Sequence, residues 1–233
     1  MTEEKYNIKF AAAAVRGYIK REGIAENIES FLLNEPLESL TDSEKAEITA
    51  LGERLGIKLY YFKKSDRLLP RVSKVIGFLR GVYFESLLDV GSGRGVFLIP
   101  FLEEFPHINV TSLDILDKRI RLLSDLKEGG IENLSVKKAD ICDMPLSPKS
   151  VDVVTMLEVL EHIPHVEKAI EAAIKTAKKY VIVTVPSKED DNPEHIHLLP
   201  KEKLTKYFNG FGVYKLSFGG VQGHLFMIAN VED

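Results

Sequence analysis

The sequence is poor in cysteine: Cys142 is the one cysteine among its 233 residues. A single thiol forms no internal disulfide and supplies no structural thiolate metal site. This scarcity excludes a fold stapled by disulfides. It also predicts a protein of a reducing compartment, and we expect a cytoplasmic one.

The chain also lacks long apolar runs and an excess of positive charge. No uninterrupted run approaches the roughly 18 residues that a membrane-spanning helix needs, and the opening stretch MTEEKYNIKF carries acids instead of the apolar core of a signal peptide. We therefore expect no membrane partner. The formal net charge is -4, so the chain as a whole has no attraction for polyanions. Nucleic acid is a disfavoured partner, although a local basic patch stays open.

A helical pattern is present up to about residue 81. In its first segment the apolar residues recur at helical spacing: Ile8, Ala12, Val15 and Ile19. Thr41, followed three residues later by Glu44, has the form of a capping box. The length and the 45% hydrophobic content suit one domain with an appendage. We predict a helical N-terminal extension or cap over residues 1–81.

After Val82, short β-branched runs alternate with helical stretches. The predicted strands are Leu87–Val90, Val110–Asp114, Leu134–Lys138, Val151–Leu157 and Val181–Val185. The predicted helices are Val96–Phe105, Lys118–Lys127 and Val166–Lys178. Two last segments, Val213–Phe218 and His224–Asn230, flank GGVQG and predict an antiparallel hairpin. Residues 82–233 are thus predicted to form an α/β domain with a Rossmann-like, mostly parallel seven-stranded sheet.

The stretch LDVGSGRG places an acid and three glycines between the first predicted strand and the helix after it. Glycines at such a turn allow a polar ligand to approach the backbone N–H groups. The spacing of Gly91, Gly93 and Gly95 departs from the dinucleotide fingerprint, because Val96 stands where its last glycine would be. Asp89 would repel a pyrophosphate and favours an ammonium group or a water-bridged ligand. A nicotinamide dehydrogenase is therefore a disfavoured alternative.

Four motifs in order resemble the class I S-adenosylmethionine-dependent methyltransferases, in the broad group that includes the ubiquinone and menaquinone biosynthesis enzymes. The motifs are LDVGSGRG, VTSLDI, KKADICDMP and VDVVTMLEVLEHI. The resemblance covers about residues 82–233. It implies S-adenosylmethionine as cofactor and S-adenosylhomocysteine as product. The cofactor-binding residues it implies are Asp89, Gly91, Ser92, Gly93, Gly95, Asp114, Ile115, Asp140, Ile141 and Leu157.

The resemblance also implies individual roles. Asp89 would lie at the methionine end, and Asp114 would hold the ribose, since a carboxylate can accept both hydrogen bonds of a vicinal diol. Asp140 would reach the adenine amino group and Ile141 would pack on its ring. Pro100 departs from the pattern, because it lies inside the helix predicted after the turn. That helix must start late or bend.

The segment EVLEH follows the fourth predicted strand. If it is helical, Glu158, Glu161 and His162 share one face, where they could bind a metal or place a base beside the methyl group. We assign Glu158 and His162 as candidate catalytic residues and favour a site without metal. A narrower family, the metal-dependent enzymes that methylate the 2′-hydroxyl at the 3′ end of small RNAs, has the same E-x-x-E-H pattern. There His195, or less well His197, would complete the ligand set.

The resulting prediction is a methyltransferase that acts on a small-molecule acceptor. The sequence does not assign the acceptor atom, which can be oxygen, nitrogen or carbon. The chain has no D-P-P-Y-type segment after the fourth predicted strand, so methylation of the amino groups of nucleic-acid bases is not favoured. Two alternatives remain. One is the metal-dependent RNA 2′-O-methyltransferase, and the other is a cofactor-binding regulatory protein without catalysis.

Overall fold

Seven β-strands form one sheet in the computed structural model, which describes residues 6–24, 29–63, 68–145, 147–189 and 191–232. The strands are β1 (Ser86–Val90), β2 (Asn109–Asp114), β3 (Leu134–Lys138), β4 (Val151–Leu157), β5 (Ala177–Pro186), β6 (Lys215–Val221) and β7 (His224–Asn230). Their order across the sheet is β3-β2-β1-β4-β5-β7-β6. The central strands β4 and β5 are rich in Val and Ile and are buried along most of their length, as expected for a sheet that is covered on both faces.

The strand directions confirm the predicted class. β1 runs parallel to both β2 and β4, and β4 runs parallel to β5. β7 pairs antiparallel with both β5 and β6. The fold is therefore a Rossmann-like α/β sheet, mostly parallel, with an antiparallel C-terminal hairpin. The carboxyl ends of β1, β2, β4 and β5 lie along one edge of this sheet, which we call the carboxyl edge.

Eight α-helices lie within the described ranges. They are α1 (Ile8–Glu22), α2 (Ser30–Asn34), α3 (Asp42–Arg54), α4 (Pro70–Leu79), α5 (Leu98–Glu104), α6 (Asp117–Glu128), α7 (Val166–Thr176) and α8 (Lys201–Gly210). Short 3₁₀ helices cover Leu37–Ser39, Tyr60–Phe62 and Leu160–His162. The predicted capping box begins α3, where the Thr41 side chain accepts the Glu44 N–H and the Glu44 carboxylate accepts the Thr41 N–H. No helix among the described residues is long and apolar enough to cross a membrane.

Helix α5 explains how Pro100 is accommodated. The helix begins at Leu98, later than the predicted Val96. Pro100 therefore lies in the first turn, where backbone N–H groups have no partner inside the helix, so its missing N–H costs no hydrogen bond. Of the two predicted solutions, a late start or a bend, the chain adopts the late start.

Several elements differ from the predictions, most of the strand and helix ends by one or two residues and the start of β5 by four. Helix α7 ends at Thr176 and β5 begins at the next residue, so the predicted helix extended too far. Helix α8 was not predicted, although Leu204 and Phe208 bury one face at a spacing of four residues. The C-terminal hairpin is tighter than the GGVQG pattern suggested, because only Gln222 and Gly223 separate its strands. Both have positive φ, as a two-residue hairpin turn requires.

The chain divides into two compact units. The first unit comprises residues 1–67 and 116–136, and the second comprises residues 68–115 and 137–233. This division groups α6 with the N-terminal helices and α4 with the sheet strands. The predicted boundary after residue 81 stays a prediction.

Glycines let two helices of the first unit approach backbone to backbone. A Cβ added at Gly17 in α1 would lie 1.9 Å from the backbone oxygen of Asp125 in α6, and one added at Gly129 would lie 1.8 Å from that of Ala13. We therefore expect Gly17→Ala to lower the free energy of unfolding by about 2 kcal/mol, because the helices must separate to admit the methyl group. Urea unfolding of the full chain measures this change.

Gly77→Ala is the matched control. An added Cβ at Gly77, inside α4, meets nothing within 4 Å. This substitution should leave stability unchanged or raise it by about 0.5–1 kcal/mol, because alanine is the better helix former. Equal stability of the Gly17→Ala and Gly77→Ala variants would contradict the close helix approach.

Candidate active site

The candidate cofactor residues gather at the carboxyl edge of the sheet. Asp89 lies near the end of β1, Asp114 ends β2 and Leu157 ends β4. Ligands of open α/β sheets bind at this edge, beside the loops that follow the strands. The structure thus brings together residues that are far apart in the sequence.

The turn after β1 requires its glycines for conformational reasons. Gly91, Gly93 and Gly95 have φ values of 68°, 58° and 80°, in the left-handed region that side chains disfavour. Gly91 also has a close neighbour, since an added Cβ would lie 2.5 Å from Cγ2 of Val159. The absence of a side chain at Gly91 is therefore needed for packing within the chain itself. At Gly93 an added Cβ would approach nothing closer than 3.8 Å, so the space above that glycine is open.

Asp114 holds this turn in place. Its Oδ2 accepts a hydrogen bond from the Gly93 N–H at 2.9 Å, and the Gly91 N–H donates to the carbonyl oxygen of Leu113 at 2.7 Å. A carboxylate bonded to a backbone N–H makes one of the stronger hydrogen bonds available to a loop. The ribose contact that the resemblance implies for Asp114 stays a prediction, and its hydrogen bond to the turn was not predicted.

Asp89 is a buried acid with one unsatisfied oxygen. Its Oδ1 accepts a hydrogen bond from Thr155 Oγ1 at 2.7 Å, and only 2% of the residue is exposed. Oδ2 is buried and accepts no hydrogen bond from any described residue. Burial raises the pKa of Asp89 to about 6, and the hydroxyl groups of Ser92 and Thr155 only partly oppose this shift. A positively charged donor at Oδ2 would satisfy the oxygen and favour the ionised form.

Ser92 and Ile115 border the turn in different ways. Ser92 is buried, donates to the Asp89 backbone oxygen at 3.1 Å and accepts from Ser112 Oγ at 2.8 Å, so its hydroxyl supports the turn. Ile115 is 59% exposed. An exposed isoleucine directly after Asp114 offers apolar surface to a ligand that the carboxylate holds.

The segment after β3 is shaped by Asp140. This exposed residue accepts the Cys142 N–H through Oδ1 at 2.8 Å, which makes it a turn residue. Ile141 is buried in the hydrophobic core of the second unit. The adenine contacts assigned to Asp140 and Ile141, like the cofactor contact assigned to Leu157, stay predictions.

The EVLEH segment does not form the continuous helix on which the shared face depended. Glu158 has a φ of 58°, in the left-handed region, and only Leu160–His162 form a single 3₁₀ turn. Glu158 Oε2 instead lies 2.8 Å from Nδ1 of His224, at the start of β7. The expectation that Glu158, Glu161 and His162 share one helical face is therefore wrong. The left-handed conformation at Glu158 interrupts the helical path, and the Glu158 side chain lies against the C-terminal hairpin.

Three of the four candidate metal ligands do converge. Single ligand atoms of Glu161, His162 and His195 all lie within 4.8 Å of one another, and Glu158 is outside this group. The two imidazole rings are 4.7 Å apart and nearly edge to face. Nδ1 of His162 lies 2.9 Å from the backbone oxygen of Glu194, which fixes the ring and directs Nε2 elsewhere. His197, the less favoured candidate, is also outside the group, and the backbone N–H groups of residues 196 and 197 donate to Glu161 O.

The environment of the lone cysteine disfavours a role as a nucleophile. Burial, with the nearby charge of Asp140 as a smaller cause, raises the pKa of the Cys142 thiol to about 11. A thiol with such a pKa stays protonated near neutral pH and is a poor nucleophile. Covalent chemistry through Cys142 is therefore disfavoured.

Sequence reasoning missed two residues of this edge. Thr155 in β4 donates to Asp89, and His224 pairs with Glu158. A polar threonine in the apolar run VDVVTML was the available signal for the first. No sequence pattern indicates the role of His224. It reaches this edge because β7 pairs with β5 in the sheet.

Comparison with known proteins places the chain in a family. The model of the methyltransferase domain family matches residues 85–215, more than half of the chain, so the chain belongs to this family. The resemblance to the class I group is confirmed. A solved S-adenosylmethionine-dependent methyltransferase from Archaeoglobus fulgidus superposes with a TM-score of 0.56 at 17% identity, covering 68% of this chain and 92% of that one. At that identity the likeness shows the shared fold.

Two curated relatives show how broad the family is. Ribosomal RNA small subunit methyltransferase G of Lactococcus lactis is 35% identical over 98 residues, 40% of this chain and 37% of its own length. Ubiquinone biosynthesis O-methyltransferase of Idiomarina loihiensis is 29% identical over 139 residues, 58% of this chain and 56% of its own. The chain thus spans between about a third and little more than half of the relatives' lengths.

Proposed function

We propose that the protein transfers a methyl group from S-adenosylmethionine to a small-molecule acceptor. The observation that carries the proposal is the arrangement at the carboxyl edge, where the left-handed glycine turn lies between the buried acid Asp89 and Asp114. The family match supports methyl transfer.

The residues at this edge fit the cofactor. The unsatisfied Oδ2 of Asp89 suits an ammonium group, and the open space above Gly93 lets a ligand reach the backbone. Asp114 has a carboxylate that can accept hydroxyl donors, and Ile115 offers exposed apolar surface beside it. These features match a ligand with an amino acid end, a ribose and an adenine ring.

Asp89 makes binding dependent on pH. Between about pH 7 and about pH 5 we expect the affinity for S-adenosylmethionine to fall about tenfold. The direction follows from the pKa of Asp89, which burial raises to about 6 in the free protein. Above that value the carboxylate is ionised and attracts the ammonium group, and below it the neutral acid does not. Calorimetric titration across this range measures the change.

The Asp89→Asn variant is the control. It should bind weakly throughout, with a nearly flat pH profile, because asparagine carries no charge to lose. A wild-type profile that is equally flat would remove Asp89 from the ammonium site.

Glu158 and His224 form the candidate base. Oε2 of Glu158 lies 2.8 Å from Nδ1 of His224 without the geometry of a hydrogen bond, so the carboxylate supports the imidazole by its charge, and Nε2 is the ring atom that would accept a proton. Both side chains are partly exposed, so a substrate can reach the ring. When bound, S-adenosylmethionine supplies a methyl group on a positively charged sulfur that leaves as a neutral thioether. The proton of the acceptor then passes to His224, and Glu158 stabilises the imidazolium.

A small pocket supports a small acceptor. It measures about 240 Å³ and is lined by Pro186, His195 and His197, among others. Pro186 ends β5 and pairs with His224 in the neighbouring strand, so the pocket lies close to the candidate base. Its volume suits a small ligand. The net charge of -4 further favours a small molecule over a polyanion.

Two acceptor pools test the substrate class. Cell extract is separated into a small-molecule fraction and an RNA fraction, and each is incubated with the protein and radiolabelled S-adenosylmethionine. We expect label in the small-molecule fraction alone. Label in RNA alone would reject the small-molecule acceptor. Cofactor binding without label in either fraction favours the non-catalytic regulatory alternative.

A metal-dependent RNA 2′-O-methyltransferase is the second candidate, favoured by the convergence of Glu161, His162 and His195. A carboxylate and two imidazoles suit first-row divalent metals. Elemental analysis after incubation with Mg²⁺, Mn²⁺ or Zn²⁺ and dialysis distinguishes the two candidates. The main proposal predicts no stoichiometric ion. One ion per chain that is lost in Glu161→Gln would favour the second candidate.

A further inference from the structure

A pocket of about 440 Å³ lies within the first unit, and its walls are strongly basic. Four segments form it: α1, the loop after α3, the 3₁₀ helix Tyr60–Phe62, and α6. The basic residues that line it are Arg21, Lys58, Lys118, Arg119 and Arg121. Asp125 is the one acid among its lining residues. This concentration of positive charge contrasts with the net charge of -4 of the whole chain.

The acid in the pocket is already neutralised. Arg21 donates from Nε to Asp125 Oδ1 at 2.8 Å and from Nη2 to Oδ2 at 3.0 Å. This bidentate pair raises the pKa of Arg21 above its ordinary value. A second acid, Glu22, contacts Arg21 from outside the lining. Asp125 is therefore unable to balance the other cations.

The remaining four cations have no acidic partner within the described residues. Lys58 and Lys118 contribute ammonium groups, and Arg119 and Arg121 contribute guanidinium groups, with no ion pair to a described residue. Four like charges around one pocket repel each other. A bound polyanion would relieve this repulsion, and guanidinium groups are well suited to phosphate oxygens.

The walls are apolar as well as basic. Tyr18, Tyr61, Ile57 and Leu122 line the same pocket, so a ligand would meet aromatic and aliphatic side chains beside the charges. A volume of about 440 Å³ is that of a small-molecule site. Bare inorganic phosphate would leave the apolar walls uncovered, and a folded polymer would not enter the pocket.

We propose that this pocket binds a diphosphate or triphosphate ester of a small organic molecule. The phosphates contact Lys58, Lys118, Arg119 and Arg121, and the organic group lies against the tyrosine and aliphatic walls. None of the residues that carry this proposal is among those assigned to the proposed methyl transfer. The proposal stands whether or not the protein is a methyltransferase.

Calorimetric titration of the full chain with uridine diphosphate tests the proposal, with uridine monophosphate and inorganic pyrophosphate as further probes. The diphosphate ester should bind most tightly, and binding should weaken as salt rises from about 0.05 M to about 0.3 M, because the contacts are charged. An excess of S-adenosylhomocysteine should not displace it. Displacement would assign the binding to the carboxyl edge and overturn the proposal.

Charge-removing variants locate the site. Lys118→Gln combined with Arg121→Gln should lower the affinity for uridine diphosphate at least tenfold. Lys127→Gln removes one charge rather than two, on the same helix α6 but outside the pocket, and should change the affinity less than twofold. Two results would overturn the proposal. One is the absence of saturable diphosphate binding, and the other is binding of a single-stranded RNA that the double variant weakens while uridine diphosphate does not bind.

Discussion

Replacing His224 by glutamine is expected to slow methyl transfer on the order of 100- to 1,000-fold, while the affinity for S-adenosylmethionine changes less than twofold. The reason is the pairing of His224 Nδ1 with Glu158 Oε2 at 2.8 Å, which leaves the second ring nitrogen to accept the acceptor's proton. Glutamine has similar size and polarity but accepts no proton at neutral pH. Label transfer to the small-molecule fraction, with calorimetry of the cofactor, measures both effects.

His107→Gln is the matched control. His107 is exposed and precedes β2, at the edge of the sheet opposite to the carboxyl edge, so its loss should leave the rate unchanged. Glu158→Gln should lower the rate less than His224→Gln does, because the imidazole remains but loses the neighbouring negative charge. A full rate in His224→Gln would show that another group takes the proton.

Asp114→Ala is expected to weaken the binding of S-adenosylmethionine on the order of 100-fold, since hydrogen bonds to charged groups contribute about 1.5–3 kcal/mol each. Two contributions are lost at once. The carboxylate can no longer accept the hydroxyl groups of a ribose, and the Gly93 N–H loses the acceptor that it now has at 2.9 Å. The glycine turn then loses its fixed conformation. Calorimetric titration measures the affinity, and circular dichroism checks that the sheet is retained.

Asp114→Asn separates these two contributions. The amide oxygen can still accept the Gly93 N–H, so the turn should stay in place, while the charge that strengthens the ribose contact is lost. A loss of about tenfold is expected for asparagine, between wild type and alanine. Unchanged affinity in both variants would remove Asp114 from the site. Equal losses in both would show that the turn does not depend on this bond.

The fold could be predicted closely where hydrophobic patterning decides it. The bounds of β3, β4 and β7 are those expected from the sequence, because a run such as VDVVTML has a buried β-branched pattern and few alternatives. Pro100 correctly indicated that helix α5 would either start late or bend, and α5 starts late, at Leu98. Helix α8 was missed because Leu204 and Phe208 are only two apolar positions in a short polar segment. Such a helix is fixed by packing and shows little periodicity of its own.

Only part of the candidate site could be predicted from the sequence. The gathering of Asp89, Asp114 and the glycines at one edge could be predicted from their places at strand ends, because parallel strands bring those ends together. The cofactor role of Asp114 came from the family resemblance and stays a prediction. The pairing of Glu158 with His224 depends on a left-handed residue at the end of β4. That conformation is uncommon for glutamate, and no local sequence pattern predicts it. Helical spacing alone grouped Glu158 with Glu161 and His162. The left-handed conformation at Glu158 separates it from the other two.

Calorimetric titration with S-adenosylmethionine and S-adenosylhomocysteine, with NAD as control, tests the central claim most directly. The account predicts saturable micromolar binding of the first two and none of NAD. It further predicts that Asp89→Asn and Asp114→Ala weaken that binding and that His224→Gln leaves it intact. Absence of binding, or preference for NAD, would mean that the glycine turn at the carboxyl edge is not the seat of S-adenosylmethionine.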